Sequence, residues 1–365
     1  MTRILDSYGL SPLQAGILFH ALREPDCTTY VEQIVVTLED EIDVPRLLRA
    51  WDQLLARHAI LRTRFRWAGL AQPVQEVLDA VRLPLERVEG QLEGILQERR
   101  ARGFDVTQAP LMRLALARGA GPGQTMVWTL HHLLLDGHGR ALVLQELFDL
   151  YEGIEPAQPR QYRDYIAWLQ GLDQERARLF WQRTLAGFAA PTPLAVSQSR
   201  ETTGSDYGIH ESRLPAALTA ALRKRARASR VTLNVLLQAA WALLLHRYSG
   251  EDDVVFGVTR ACRAAALEGA ARIVGPLINT VPVRMRIDPE AELGAWLEAQ
   301  RKPQLALREY EHTPLVDVQG WSEVPRGTPL FETLFVFARR TLDAQLRELG
   351  GAWSTRRCRT VDNTH

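Results

Sequence analysis

The stretch 126–130, Met-Val-Trp-Thr-Leu, reads as an apolar strand, and it runs through His131-His132-Leu133-Leu134-Leu135-Asp136-Gly137 into the helical pattern Gly139-Arg140-Ala141-Leu142-Val143-Leu144. The two histidines therefore stand at a strand-to-helix corner. Successive strand residues point to opposite faces, so only one of His131 and His132 can face a given cavity; the other packs. Histidine exchanges protons near neutral pH and suits general acid/base work. Asp136 follows three leucines, and a carboxylate drawn into such surroundings needs a cationic or donor partner, expected to be an arginine. Gly137 gives backbone freedom and lets a substrate approach the main chain closely. The competing reading is a core histidine pair beside a capped helix.

The rest of the chain places this corner in a mixed α/β architecture. Ser11-Pro12-Leu13-Gln14 opens a helix, with serine as cap and proline at the first helical position. Expected next are a strand at 30–38, a helix at 44–59, a strand at 62–67, a helix at 92–102 and a strand at 111–117. Helices mixed with adjacent strands suggest an α/β sandwich rather than a strictly alternating parallel sheet. Gly119, Gly121 and Gly123 join two strands and lack the Gly-Lys-Ser/Thr ending of a phosphate loop, so they read as a hairpin turn. A long helix is expected over 162–185 and an aperiodic polar stretch over 191–205. The second half predicts a strand at 209–214, helices at 215–229 and 232–248, strands at 253–259 and 279–287, a helix at 289–310 and a last strand at 331–338.

A length of 365 residues exceeds one compact core, so two domains are expected: 1–187, a linker at 188–207, and 208–365. A formal net charge of +1 gives no electrostatic argument for nucleic acid or membrane. The basic run Arg223-Lys224-Arg225-Ala226-Arg227 has no interleaved aromatics and reads as a solvated helix face. Lys224 and Lys302 are the only lysines, which sets aside Schiff-base and phosphate-loop lysine chemistry. Cys27, Cys262 and Cys358 fit neither a disulfide framework nor a zinc site, and a reducing cytoplasm is the expected compartment. No metal is expected: His131, His132 and His138 diverge along the strand, and no cysteine or helical His-x-x-x-His joins them. The apolar stretch at 233–246 is too short and interrupted to span a bilayer.

Read together, the dispersed segments resemble the condensation domain of nonribosomal peptide synthetases, in the chloramphenicol-acetyltransferase-like superfamily. Ser11-Pro12-Leu13-Gln14 with Gly16 and Leu18-Phe19-His20 is similar to the family's opening motif, and Arg57-His58-Ala59-Ile60-Leu61-Arg62-Thr63-Arg64-Phe65 to its second. The histidine segment matches His-His-x-x-x-Asp-Gly. Tyr162-Arg163-Asp164-Tyr165-Ile166-Ala167-Trp168 and Val274-Gly275-Pro276-Leu277-Ile278-Asn279-Thr280-Val281-Pro282-Val283-Arg284 resemble the next two. His312-Thr313-Pro314-Leu315, Trp321-Ser322 and 330–337 resemble the last segments.

The resemblance implies two acetyltransferase-like α/β sandwich lobes in a V-shaped pseudo-dimer with a central channel. Donor and acceptor peptidyl carrier domains would bring a thioester and an amine to it on phosphopantetheine arms, with no cofactor bound directly and an adenylation domain adjacent in the parent synthetase. It makes His132 the histidine near the attacking amine, with Gly137 beside the reacting centre. Asp136 becomes structural, paired with Arg284 or, as the other arginine within a motif, Arg62. Asn279, Trp168, Ser11 and Gln14 are implied at the channel or between lobes, although packing is the competing reading for Asn279 and Trp168; Tyr162 and Asp164 favour structural hydrogen bonds. Two departures stand out: His138-Gly139 replaces the family's hydrophobic residue and serine, and Arg339-Arg340 replaces an Asn-Tyr-Pro-like turn. The pattern continues past His365 in the family, so an incomplete C-terminal lobe is expected. A freestanding acyltransferase and a catalytically silent carrier-docking module are the alternatives.

Overall fold

The computed structural model describes residues 3–24, 28–38, 42–118, 123–194, 208–263, 267–338, 341–349 and 357–361. Cys27, the glycine turn at 119–122, the linker over 195–207, Arg339-Arg340 and the tail at 362–365 lie outside them. In chain order the first elements are β1 (Ile4–Gly9), α1 (Pro12–Arg23), β2 (Val31–Leu38), α2 (Val44–Arg57), β3 (Thr63–Arg66), β4 (Val74–Leu78), β5 (Leu85–Val88), α3 (Leu92–Ala101), β6 (Met112–Arg118) and β7 (Gln124–His131). There follow α4 (Gly137–Tyr151), α5 (Tyr162–Gln170), α6 (Gln174–Leu185), α7 (Ala216–Ala228), α8 (Leu233–Ser249), β8 (Asp253–Arg260), β9 (Asn279–Arg286) and α9 (Leu293–Ala299). The chain ends with α10 (Arg301–Leu307), α11 (Leu315–Trp321), β10 (Leu334–Phe335), α12 (Leu342–Leu349) and β11 (Arg357–Val361).

These elements form two compact units, and both are discontinuous in sequence. The first comprises Met1–Leu172, Arg263–Ile278 and Ala338–His365; the second, Asp173–Cys262 and Asn279–Phe337. The first carries a five-stranded sheet ordered β11-β2-β7-β6-β5 and a three-stranded sheet β1-β4-β3; the second carries β10-β8-β9. The five-stranded sheet explains the apolar character of β7. Trp128, Met126 and Ile34 belong to the main core with Trp51 and Leu54 of α2, while Val127, Val35 and Ala115 pack on the opposite side with Leu96 of α3. With both faces covered, alternate positions cannot be polar without a partner. Asp43 caps α2, its carboxylate accepting from the Arg46 amide, and Trp51 meets Trp128 edge-on at 5.2 Å.

Several expectations are corrected here. The helix over 162–185 is two helices, because Asp173 caps a new start by accepting from the Arg176 amide. The unit boundary falls in that break rather than at 188–207: Trp181 and Leu185 of α6 are buried in the second core with Phe256 and Val283. The helix over 289–310 also divides. Pro303 has no amide hydrogen to give Ala299, so the first helix closes at that residue and α10 starts at Arg301. Residues 209–214 form no strand and are exposed, Ile209 at 88%. The strand over 331–338 shrinks to Leu334–Phe335, which pair in parallel with Gly257 and Val258. The second domain is not 208–365: the segments 263–278 and 338–365 return to the first unit, where β11 pairs antiparallel with β2. Among the described residues no single helix is long and apolar enough to cross a membrane.

Candidate functional site

β7 ends at His131, and α4 begins at Gly137 with Asp136 as its cap. The turn between them has a fixed shape. The Leu133 amide donates to His131 Nδ1 at 3.2 Å, the Leu134 amide to the His131 carbonyl at 3.1 Å, and the Leu133 carbonyl accepts from Gln14 Nε2 at 3.0 Å. His131 is a packing residue. Its ring lies against Tyr30 and Phe104, and burial, reinforced by His132, pushes its pKa down to about 3. It is therefore neutral across the physiological range.

His132 is held differently. Its Nδ1 lies 2.8 Å from the Leu135 carbonyl, which can only accept, so Nδ1 carries the proton in the neutral ring and the Nε2 lone pair is available. Nε2 has no hydrogen-bond partner among the described residues, and the side chain keeps 11% exposure. Glu32, buried on β2 opposite Leu130, places Oε1 3.5 Å from the same Nδ1. Arg140, one turn into α4, brings Nη1 to 2.8 Å from Glu32 Oε2. Burial opposes charging His132, but the Glu32 carboxylate outweighs it and the repulsion of Arg140, holding His132 above its ordinary pKa. For Glu32, likewise, burial is outweighed by His132 and Arg140, which keep the carboxyl below its usual value.

Asp136 is fully buried and saturated. Oδ1 accepts from the Gly139 amide at 2.7 Å and Arg263 Nη2 at 2.8 Å; Oδ2 accepts from Arg263 Nη2 at 2.9 Å and the Leu277 amide at 2.9 Å. Burial alone would raise its pKa; Arg263 and the two amides lower it instead. Arg263 Nη1 also donates to the carbonyls of Ala270 and Ile273, and Nη2 to that of Gly275. Asp136 thus clamps the returning segment 263–278 onto the start of α4.

That pairing corrects the expected partners. Arg284 lies on β9 in the second unit, its guanidinium bonded to both Asp253 oxygens and to the carbonyls of Thr184 and Ala186. Arg62 is spent on the carbonyls of Leu55, Leu78 and Asp79. Neither is available to Asp136, whereas Arg263 reaches it from a loop whose arginines have no distinguishing spacing in sequence.

Gln14 and Ser11 are structural. They form a reciprocal capping box on α1, the Ser11 amide donating to Gln14 Oε1 and the Gln14 amide to Ser11 Oγ. Gln14 then links the helix to the histidine turn and to Gln75. Tyr162 hydroxyl sits 3.3 Å from Gln14 Oε1 and 3.2 Å from the Pro276 carbonyl. Trp168 stacks on Tyr165 at 6.0 Å. Asn279 donates to the carbonyls of Glu311 and Thr313 and anchors a loop in the second unit. His138 Nε2 lies 2.8 Å from the Ala271 carbonyl, and a methyl at Gly137 would touch Arg140 Nη2 at 3.4 Å. Sequence reasoning missed Glu32 and Arg140. The available signal was a glutamate inside a strand of apolar residues, where a buried charge needs a reason.

A protein-family model described as the condensation domain matches residues 4–350. One of the linear gramicidin synthase proteins of Brevibacillus parabrevis is 38% identical over 359 residues, and chondramide synthase cmdD of Chondromyces crocatus 39% over 335. These matches cover 92% and 88% of this chain, but the chain spans only 5% and 9% of those relatives' lengths. Among solved structures, the condensation domain of the monacolin K polyketide synthase MokA is similar at a TM-score of 0.78 and 18% identity, covering 99% of this chain and 86% of that one. A single-substitution mutant of the starter condensation domain of rhizomide synthetase RzmA, in complex with C8-CoA, has a TM-score of 0.76 and 23% identity, covering 98% and 83%.

Proposed function

We propose, for a chain that belongs to the condensation-domain family, that it forms an amide bond between a donor acyl or peptidyl thioester and an acceptor aminoacyl thioester, each carried on the phosphopantetheine arm of a carrier domain. The single observation that carries the reading is the way His132 is held: with Nδ1–H tied to the Leu135 carbonyl, the ring keeps the lone pair of its basic Nε2 available. The acyl-CoA held by the rhizomide starter domain supports a thioester donor on a pantetheine arm.

The chemistry asks little of the base. An α-amine with a reference pKa of about 7.7 to 8.0 is already roughly a tenth neutral at pH 7. Its nitrogen attacks the thioester carbonyl carbon, the carbon–nitrogen bond forms, and Nε2 takes a proton from the nitrogen of the adduct. Collapse breaks the carbon–sulfur bond, and the proton returns to the departing thiolate. Such a proton transfer is typically worth about 10² to 10⁴ in rate, and positioning of two tethered reactants supplies much of the remainder. His131, Asp136 and Gly137 shape the turn, and adenylation and carrier domains in a cytoplasmic synthetase are the partners of this reading.

The test is mass-spectrometric detection of the condensed product with both carriers loaded, comparing the chain with His132→Ala. Product from the wild type and a fall of about 10² or more in the variant support the assignment. Equal product from the two removes it, and acyl transfer to a soluble amine alone indicates a freestanding acyltransferase instead. Carrier binding without turnover identifies a docking module.

A further inference from the structure

We propose that Glu32 is a positioning residue for His132: it fixes the Nδ1–H tautomer and supplies the counter-charge for the imidazolium formed when Nε2 takes a proton, while Arg140 keeps Glu32 ionised between turnovers. The inference rests on the reading of His132 given above and adds a residue that no motif contains. The geometry is specific. Oε1 of Glu32 faces Nδ1 at 3.5 Å, Arg140 Nη1 faces Oε2 at 2.8 Å, and the two carboxylate oxygens therefore face different groups, the imidazole and the guanidinium.

A buried glutamate beside a neutral imidazole alone would be driven to protonate, since burial disfavours the charged form. Arg140 prevents this. A carboxylate kept ionised at the far side of the ring stabilises a positive charge as it develops, the role that the aspartate plays in a Ser-His-Asp triad. Here the Leu135 carbonyl shares the task of holding the tautomer, so losing Glu32 should cost less than losing the aspartate of such a triad.

The other groups around the ring do not replace it. His131 on β7 is neutral, Arg140 on α4 repels the imidazolium, and Asp136 is committed to Arg263, the Gly139 amide and the Leu277 amide. Glu32 is the carboxylate that favours charge on His132. The sign follows: without it the His132 midpoint falls, and the acid limb of the rate profile moves with it toward lower pH.

The experiment compares wild type, Glu32→Gln and Glu32→Asp in the full chain. It uses nitrogen-15 histidine NMR titration, with the His132 signal assigned by its loss in His132→Ala, and kcat and KM against pH with loaded carriers. Expected in Glu32→Gln are a lower His132 midpoint, an acid limb shifted the same way, kcat down about 10- to 100-fold and KM within about twofold. Glu32→Asp should recover part of the midpoint and of kcat. Because Glu32→Gln also removes the ion pair between Glu32 and Arg140, the pair Glu32→Gln/Arg140→Gln is titrated as well, and its midpoint should also fall. An unchanged His132 midpoint in the folded variants overturns the proposal, as does a kcat loss with an unshifted profile and no recovery in Glu32→Asp. If the wild type makes no product, the amide-forming reading fails, while the titration still decides whether Glu32 controls His132.

Discussion

Asp136 shows how one side chain can be indispensable to a site without taking part in its chemistry. Removing its charge leaves the Arg263 guanidinium buried without its counter-ion, and breaking such a pair costs about 3–5 kcal/mol. Asp136→Asn should therefore lower the urea midpoint, with Arg263→Met restoring part of it. The pH dependence has a definite sign. The folded pKa of Asp136 lies below its unfolded value, so its contribution is complete above about pH 4 and is lost as the pH falls through the folded value. Wild type and Asp136→Asn should accordingly converge in stability on acidification below that point, read as unfolding midpoints from about pH 7 down to about pH 2. A steric prediction sits beside it. A methyl on Gly275 would lie 2.2 Å from Tyr162 Cδ2, so Gly275→Ala must displace the ring or the segment, at about 1–3 kcal/mol. Gly275→Ala/Tyr162→Leu should recover part of the loss of melting temperature.

At the level of elements, legibility followed the covering of each face. β7, α2, β6 and α4 were read from their own patterns because their apolar residues recur with the element's period; the structure adds the caps, Asp43 for α2 and Asp136 for α4. β1, β4 and β5 were missed, being short strands whose stability lies in cross-strand pairing, such as Ile4–Gly9 against Val74–Leu78. The breaks after Gly171 and at Gln300 were overrun because periodicity continues across both, while a cap and a proline decide locally. A direct check is Asp173→Ala, which removes the hydrogen bond to the Arg176 amide and should cost about 1 kcal/mol in thermal or urea unfolding. An effect within about 0.3 kcal/mol of zero would show that packing of Trp181 and Leu185, rather than the cap, sets the start of α6.

For the whole molecule, the decisive feature is that the chain crosses between two units more than once. Two elements near the end of the chain, which sequence reading did not anticipate, complete the first unit: β11 (Arg357–Val361) covers the edge of β2, and Leu346 of α12 is buried in that unit's core. Ending the chain at residue 340 should expose the open edge of β2, a ready template for pairing with another chain. The expected outcome is lower thermal stability and aggregation measurable by size exclusion and light scattering; a monodisperse product with unchanged melting would refute the role given to β11.

The chain's own pattern determined what local forces govern: the apolar strand entering a helix, the histidines at their corner, the capping serine, and the ordered motifs of a family. Tertiary structure alone decided the partners of the buried charges. Asp136 took Arg263 instead of Arg284 or Arg62, and His132 acquired Glu32 from a neighbouring strand. Periodicity reports which face of an element avoids water. Ion pairing in a low-dielectric interior depends on which distant residues arrive within a few ångströms, and that is set only when the folded chain closes around them.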